Sequence, residues 1–172
     1  MKNKIQPTQK ERVMRDNDFI VSKTDTKGKI TYGNQIFIEF SGYSEKELIN
    51  TQHNIIRHPD MPRGVFEFLW QTIASGKEFS GYVKNMSKDG GFYWVFANVT
   101  PSFDKNNNII GYYSVRRKPS REAINVASGI YKEMLQVERN SATKDAIKNS
   151  LALLTGKLQQ LGIDYDRFVH SL

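Results

Sequence analysis

The chain lacks several features that define common classes of protein. It contains no cysteine in 172 residues, which excludes disulfides, thiolate metal sites, iron–sulfur clusters and cysteine nucleophiles. No apolar run approaches the roughly 18–20 residues that span a bilayer. The opening sequence MKNKIQPTQKERVMRDNDF has no apolar core of a secretory signal, so we expect a cytoplasmic location. A Gly-rich phosphate loop and a G-x-S-x-G nucleophile elbow are also missing, so the motifs do not predict an enzyme.

The chain is basic, with a formal net charge of +7. Such a charge suits binding to nucleic acid, to an anionic lipid surface or to an anionic ligand. The lysines are scattered and form no basic run, which predicts a solvated surface and no nucleic-acid partner. The aromatic fraction of 12% is sufficient for a compact core of large side chains.

Residues 17–119 carry the signals of an α+β domain. FIVSKTD, a TKGK turn and ITYGN predict a β-hairpin. Apolar residues at helical spacing follow, and Asn34 is the predicted N-cap of that helix. SEKELIN then has a capping box of Ser44 and Glu47. A longer helix is predicted from Pro62 to about Ser75. Three strands are predicted after it, within 78–88, 92–103 and 109–118, so the helices are grouped in the middle of the domain.

The two ends of the chain differ from this domain. Residues 1–16 are polar and predict a flexible or weakly helical N-terminal arm. Residues 120–172 predict two helices, one from Ser120 to about Arg139 and one from about Ala142 to Gln160. The second has an aliphatic stripe at spacings of four, three, four and three: Ile147, Leu151, Leu154, Leu158 and Leu161. We expect the stripe to form a homodimer or to dock on a partner helix; the alternative is a helix that lies on its own domain.

The stretch TQHNIIRHPDMPRGVFEFLW, residues 51–70, concentrates polar chemistry and holds two of the three histidines. Zinc needs three or four converging ligands. His53 and His58 are five residues apart beside two prolines, so no metal site is predicted. A haem held by one histidine remains an alternative. The basic side chains near Trp70 also suit an anionic aromatic ligand such as a dinucleotide, whose polar ring edge Asn85 or Asn98 could bind.

Several segments resemble a known family. DTKGKITYGNQIFIEFSGYSEKELIN resembles the opening half of a PAS domain, and GYVKNMSKDGGFYWVFANVTPSFD with IIGYYSVRRKPS resembles its closing strands. HNIIRHPDMPRGVFEFLW, followed by VKNMSKDGGFYWV, is similar to the sensor domain of Aer-type aerotaxis receptors and their short soluble relatives. The resemblance covers about residues 17–121. It implies a single PAS fold, a five-stranded antiparallel sheet of order 2-1-5-4-3 with short helices on one face, followed by a C-terminal helical extension.

The resemblance also implies a non-covalently bound FAD and a role as a redox or oxygen sensor in energy taxis. Residues at matching positions would bind the cofactor or act in signalling: Asn34, His53, Arg57, His58, Asp60, Trp70 and Asn85. The implied partner is a membrane chemoreceptor or its signalling domain, or a kinase pathway. No substrate turnover is implied, and the missing cysteine argues against a light-driven flavin adduct.

Three alternatives remain at this point. The first is a haem-binding gas sensor with His53 or His58 as the axial ligand. The second is a ligand-free module that mediates protein contacts. The third is a small flavin oxidoreductase, for which no nicotinamide motif is visible. If the chain is complete, it resembles the short PAS proteins that act beside a separate chemoreceptor; otherwise its tail is the start of a longer receptor.

Overall fold

The computed structural model describes residues 5–172, so the first four residues of the predicted arm lie outside it. The strands are β1 (Ile20–Thr24), β2 (Ile30–Gly33), β3 (Phe79–Met86), β4 (Phe92–Phe103) and β5 (Ile109–Arg117). The helices are α1 (Gln35–Ser41), α2 (Glu45–Leu48), a 3₁₀ turn (His53–Ile56), α3 (Arg63–Ala74), α4 (Arg121–Asn140), α5 (Ala146–Leu161) and α6 (Tyr165–His170). Within residues 5–172, no helix is both long and apolar enough to cross a bilayer.

The five strands form one antiparallel sheet of order β2-β1-β5-β4-β3. This confirms the predicted α+β class and the predicted strand order. The helices α1, α2 and α3 cover one face of the sheet. Buried side chains from both layers form the core between them, among them Phe37, Leu48, Ile73, Ile20 and Val95.

Local signals in the sequence explain where the first helices begin. The Asn34 Oδ1 atom accepts a hydrogen bond of 3.0 Å from the backbone N–H of Phe37 and caps α1. Ser44 and Glu47 form the predicted capping box at α2, because the Glu47 carboxylate accepts from the Ser44 backbone at 2.9 Å. The helix α3 begins directly after Pro62, a residue with no N–H to leave unpaired.

The N-terminal arm differs from its prediction, because no helix forms over residues 5–16. The arm runs extended along the start of β4. The Thr8 N–H donates to the Gly90 carbonyl at 2.8 Å, and the Arg12 N–H donates to the Phe92 carbonyl at 2.7 Å. Gly90 has a φ of +86°, and a Cβ there would clash with the Gln6 carbonyl oxygen. A glycine at this turn therefore lets the arm approach the sheet.

The C-terminal segment contains three helices where the sequence predicts two. The helix α4 begins after its predicted cap, Ser120, and crosses the sheet face opposite α1–α3, where Tyr131 stacks on Trp94. The helix α5 begins at Ala146, four residues later than predicted, and ends at Gly162 with a positive φ of 67°. The short helix α6 follows.

The aliphatic stripe of α5 packs largely within the chain, against α3 and α4. Leu154 is buried and Leu158 packs against the core, whereas Leu161 keeps 59% of its surface exposed. The structure therefore matches the alternative reading of this helix, in which it lies on its own domain. A second copy is not needed to bury most of the stripe.

The helix α6 crosses the edge of the sheet beside β3. Tyr165 packs its ring against Phe68 of α3 and Phe79 of β3, with ring centroids 4.7 Å and 5.5 Å away. On the other side of β3, the Tyr82 hydroxyl donates to the Val169 carbonyl at 3.0 Å. Strand residues three apart point to opposite faces, so these contacts hold α6 on both faces of the edge strand.

Candidate functional site

A cavity of about 340 Å³ lies between the sheet and α3. Its floor comes from side chains that alternate along four strands and therefore share one face, among them Ser22, Val83, Asn85, Ala97, Tyr112 and Arg116. One wall is a face of α3 that includes Phe66, Leu69, Trp70 and Ile73. A pocket at the small end of the usual range, about 300–1,000 Å³, suits an aromatic ring system better than a whole dinucleotide.

The stretch singled out in the sequence crosses this cavity from one edge of the sheet to the other. At one edge, the Ile30 N–H of β2 donates to the Thr51 carbonyl at 2.9 Å, and the Asn50 N–H donates to the Ile30 carbonyl at 2.8 Å. At the other edge, Arg57 pairs with Asn85 of β3 as an isolated antiparallel bridge. Residues 50–57 are thereby held across the mouth of the cavity.

His53 lines the cavity and is held by two contacts. Its ring stacks on Phe37 with centroids 5.8 Å apart, and its Nε2 atom lies 3.1 Å from the Ser22 Oγ atom. Burial, with the nearby charge of Arg116, lowers the pKa of His53 to about 3. The ring is therefore neutral at neutral pH, and its Nε2 atom shares a hydrogen bond with the Ser22 hydroxyl.

Arg57 and Trp70 also line the cavity. The Arg57 guanidinium lies 4.5 Å from the centroid of the Phe66 ring, and its Nη2 atom donates to the Met61 carbonyl at 3.2 Å. Trp70 is 39% exposed and meets Tyr112 edge to face, with ring centroids 5.6 Å apart. The Arg57 guanidinium and the Trp70 indole ring thus lie where the cavity opens to solvent.

Asn85 is 4% exposed and lines the cavity floor. Its backbone is paired in the sheet and with Arg57. Its side chain carries an amide group at this part of the cavity lining. It can donate and accept at once, so it offers a paired contact to a ligand in the cavity.

Arg116 is the cavity residue that the sequence analysis missed. It is 2% exposed, and no carboxylate in the described part of the chain pairs with it. Its Nη2 atom donates to the Ser22 Oγ atom, and its guanidinium lies 4.8 Å from the Phe37 ring centroid. The Nε and Nη1 atoms are buried without any acceptor within residues 5–172. Burial lowers the pKa of Arg116 to about 10, so it remains a cation at neutral pH.

One pattern in the sequence could have found Arg116. Along β5, Tyr112, Ser114 and Arg116 alternate with Tyr113, Val115 and Arg117. Strand alternation places one of two adjacent arginines on the covered face. The aromatic residues of β5 do not show which face that is, because both sets contain a tyrosine.

Asn34 does not line the cavity. Its Oδ1 atom also accepts from the Val21 N–H at 3.1 Å, and its Nδ2 atom donates to the Phe19 carbonyl at 2.8 Å. All of these bonds join β1 to the start of α1. Asn98, the second asparagine considered for the ring edge, lies on the opposite face of the sheet and donates to Ser80 Oγ at 3.1 Å.

His58 and Asp60 also lie outside the cavity lining, in the loop before α3. The His58 Nδ1 atom accepts from the Asp60 N–H at 3.1 Å, and the Asp60 carboxylate bonds Lys84 Nζ at 2.7 Å. Burial, with the charge of Lys84, lowers the pKa of His58 to about 4. These contacts tie the loop to β3. In the described part of the chain, no group of three or more His, Asp or Glu side chains is placed to hold a metal ion.

Comparison with known proteins agrees with this architecture. A family model described as "PAS fold" matches residues 30–116, just over half of the chain. With the sheet order given above, this shows that the chain belongs to the PAS family.

Within the family, the chain is similar to the aerotaxis receptor of Escherichia coli K12. The two are 39% identical over 127 residues, which are 74% of this chain and 25% of the receptor. A nitrogen fixation regulatory protein of Klebsiella pneumoniae is 30% identical over 97 residues, 56% of this chain and 20% of that protein. The matched segment thus spans a quarter or less of these relatives. The predicted resemblance to aerotaxis receptors is confirmed.

Solved structures share the fold. The light-state structure of the blue-light photoreceptor Aureochrome1 LOV superposes with a TM-score of 0.58 at 20% identity, covering 66% of this chain and 90% of that one. The LOV domain of the blue-light activated histidine kinase EL346 from Erythrobacter litoralis gives 0.55 at 18% identity, covering 60% and 97%. At these identities the likeness concerns the fold alone.

Proposed function

We propose that this chain is a cytoplasmic, FAD-binding PAS sensor that reports redox state or oxygen in aerotaxis. The observation that carries the proposal is the buried cation Arg116, whose Nε and Nη1 groups have no acceptor within residues 5–172, in a largely apolar cavity that the amide of Asn85 also lines. Buried polar groups without partners destabilise a fold, so a ligand that accepts from Arg116 would be retained. The similarity to an aerotaxis receptor supports a flavin as this ligand.

The cavity would hold the ring of FAD, and residues at its mouth would meet the rest of the cofactor. Arg116 would donate to the polar edge of the ring, Trp70 would pack against its apolar part, and Asn85 offers an amide at another place in the cavity lining. Arg57 and Arg63, which also line the cavity, suit the pyrophosphate, because guanidinium groups form paired, charge-assisted bonds with phosphate. When bound, a flavin supplies reversible electron transfer, and its charge changes on reduction.

Two side chains beside this site keep their protonation state over the physiological range. Arg116 stays charged because its pKa of about 10 is above neutral pH, and His53 stays neutral because its pKa of about 3 is below it. The cavity therefore presents a fixed positive charge. A change of charge in the ligand would alter its attraction to Arg116, which stabilises one state of the domain over another.

The proposed partner is a membrane chemoreceptor or its signalling domain, or a kinase pathway. In this proposal, residues 17–119 sense, residues 120–172 pass on the signal, and residues 1–16 are the N-terminal arm, of which residues 5–16 run along the start of β4. The chain acts as a sensor and not as an enzyme, because sensing requires no substrate turnover. A homodimer through the C-terminal helices stays a prediction, for which the exposed Leu161 is the available surface.

The haem alternative has less support from the geometry. His58 does not line the cavity, and the Nε2 atom of His53 is already hydrogen-bonded to the Ser22 hydroxyl. A haem ligand would have to break that bond, whereas a flavin needs no protein ligand to its ring.

The absorption spectrum of the freshly purified protein tests the proposal. The two bands of an oxidised flavin, with FAD identified by mass after release from the protein, are the expected result. If the released compound is FMN, the cofactor is FMN and not FAD, and the proposal of a flavin site stands. A single intense haem band would overturn the flavin proposal, and a colourless protein that takes up neither cofactor would indicate a ligand-free interaction module.

A further inference from the structure

The C-terminal helices reach the cavity from outside the segment that matches the PAS family. The family match ends at residue 116, yet Ile147 of α5 lines the cavity together with residues of α3 and the sheet. The helix α5 packs against α3 along the side of the domain. Part of the cavity wall is thus formed by the C-terminal segment, residues 120–172, which we call the tail.

A carboxylate of α4 holds the start of α3. The Glu138 side chain is 7% exposed, and its two oxygens accept from the backbone N–H groups of Arg63 at 3.1 Å and Gly64 at 2.9 Å. The first N–H groups of a helix have no acceptor inside it, and a negative charge is favoured there by the helix dipole. Pro62, which precedes α3, provides no side-chain cap. Glu138 therefore supplies the missing acceptors.

The same carboxylate contacts a residue of the cavity mouth. Glu138 lies 3.6 Å from the Nε atom of Arg63, and Arg63 lines the cavity. One residue of the tail thereby sets the position of the helix start and of a cation that a ligand would meet.

Close packing at Gly64 joins the three helices. A Cβ at this position would lie 2.7 Å from the Oγ atom of Ser150 on α5 and 3.3 Å from the Cε atom of Met134 on α4. No space remains for α3 to shift toward the tail without moving it, because protein interiors are close-packed. The opposite face of α3 forms the cavity wall through Leu69, Trp70 and their neighbours.

We propose that α4 and α5 form part of the cofactor site and that Glu138 is the positioning residue that sets cofactor affinity through α3. This inference rests on the flavin function proposed above. Coupling between two sites is reciprocal. If docking of the tail raises the affinity for the cofactor, the bound cofactor stabilises docking of the tail by the same factor.

Two matched substitutions test this inference. Glu138→Gln removes the charge and keeps the size, and Glu133→Gln makes the same change on the same helix at an exposed ion pair with Lys157. Titration of the cofactor-free protein with FAD is expected to show binding weakened roughly fivefold or more by Glu138→Gln, the lower end of typical coupling, and unchanged by Glu133→Gln. Ile147→Ala, which leaves the α3 cap intact, is expected to weaken binding as well.

Amide hydrogen exchange supplies a readout that does not depend on the affinity itself. FAD is expected to slow exchange in α4 and α5 of the wild-type chain, and to do so less in Glu138→Gln. Equal FAD affinity in the wild type, Glu138→Gln and Ile147→Ala overturns the inference, as does exchange in α4 and α5 that FAD leaves unchanged. A wild-type chain that binds no flavin overturns both the proposed function and this inference. If the wild type binds flavin and the variants bind it equally well, only this inference fails.

Discussion

Replacement of Arg116 by methionine is expected to weaken flavin binding while it has only a modest effect on the stability of the ligand-free protein. Burial lowers the pKa of Arg116 to about 10, against an ordinary value of about 12.5, which corresponds to about 3 kcal/mol against the charged form. Arg116→Met removes this cost. It also removes the cation–π contact with Phe37, about 1–2 kcal/mol, and the bond to Ser22, about 1.5–3 kcal/mol because its donor is charged.

These contributions largely cancel, so the free energy of unfolding should fall by no more than about 2 kcal/mol. Flavin affinity should fall roughly 10- to 150-fold, because a hydrogen bond from a charged donor contributes about 1.5–3 kcal/mol. Urea unfolding of the cofactor-free protein and titration with FAD measure the two quantities. Arg117→Met is the matched control, since Arg117 is the exposed neighbour on the opposite face.

A large loss of stability without a loss of FAD affinity would refute this reasoning. If Arg116 served the fold alone, its replacement would destabilise the cofactor-free protein by more than about 3 kcal/mol, the upper end for ordinary single substitutions. A loss of that size with unchanged FAD affinity would show that Arg116 is structural and that the ligand lies elsewhere.

Three further predictions concern the other residues of the site. Trp70→Ala and Arg57→Ala should each lower flavin affinity roughly tenfold, about 1.4 kcal/mol; full flavin occupancy in both variants would place the site elsewhere. Asn34→Ala should lower the free energy of unfolding by about 1–2 kcal/mol through loss of the helix cap, yet leave the FAD affinity of the folded protein unchanged. His58 has a folded pKa of about 4, below its unfolded value of about 6.5, so the unfolded chain binds the extra proton and His58 contributes a loss of stability of about 2 kcal/mol as the pH is lowered from about 7 to about 5. His53, with a pKa of about 3, adds a similar loss. His58→Asn should flatten this slope in urea unfolding, His170→Asn at the exposed histidine should not, and equal slopes in all three proteins would contradict the assignment.

The parts of the fold that the sequence predicted correctly depend on short-range signals. Asn34 caps α1 because its side chain reaches an N–H three residues on, and Ser44 with Glu47 acts over the same distance. The strands of the sheet follow from β-rich segments and turns, and their order from the family resemblance. Each of these features can be recognised within about ten residues of sequence or from the resemblance to PAS domains.

The features that escaped prediction depend on contacts between distant residues. Arg116 donates to Ser22, which is 94 residues away, and the alternation of β5 indicates only that one of two adjacent arginines is covered, not which one. The helix α6 is only six residues long, too short to form without its contacts on β3. The stripe of α5 could be read as a dimer surface, because the covering helices α3 and α4 are not part of its pattern.

For the candidate binding residues, the sequence identified the segment that lies over the cavity more reliably than the individual side chains that line it. His53, Arg57, Trp70 and Asn85 line the cavity, whereas the remaining three predicted residues support the loop or α1. Their participation in cofactor binding stays a prediction. Resemblance identifies positions that matter in a family, but it does not distinguish a contact with the ligand from a contact that shapes the site.

The segment from Asn50 to Arg57 also determines how this sheet can meet other chains. It pairs with β2 at one edge and with β3 at the other, where α6 covers more of the strand. An exposed edge strand is a template for intermolecular strand addition and aggregation. Growth of the sheet into a second molecule would have to strip away this segment and open the mouth of the cavity. Retention of a ligand and protection from edge-to-edge aggregation are therefore provided by the same eight residues.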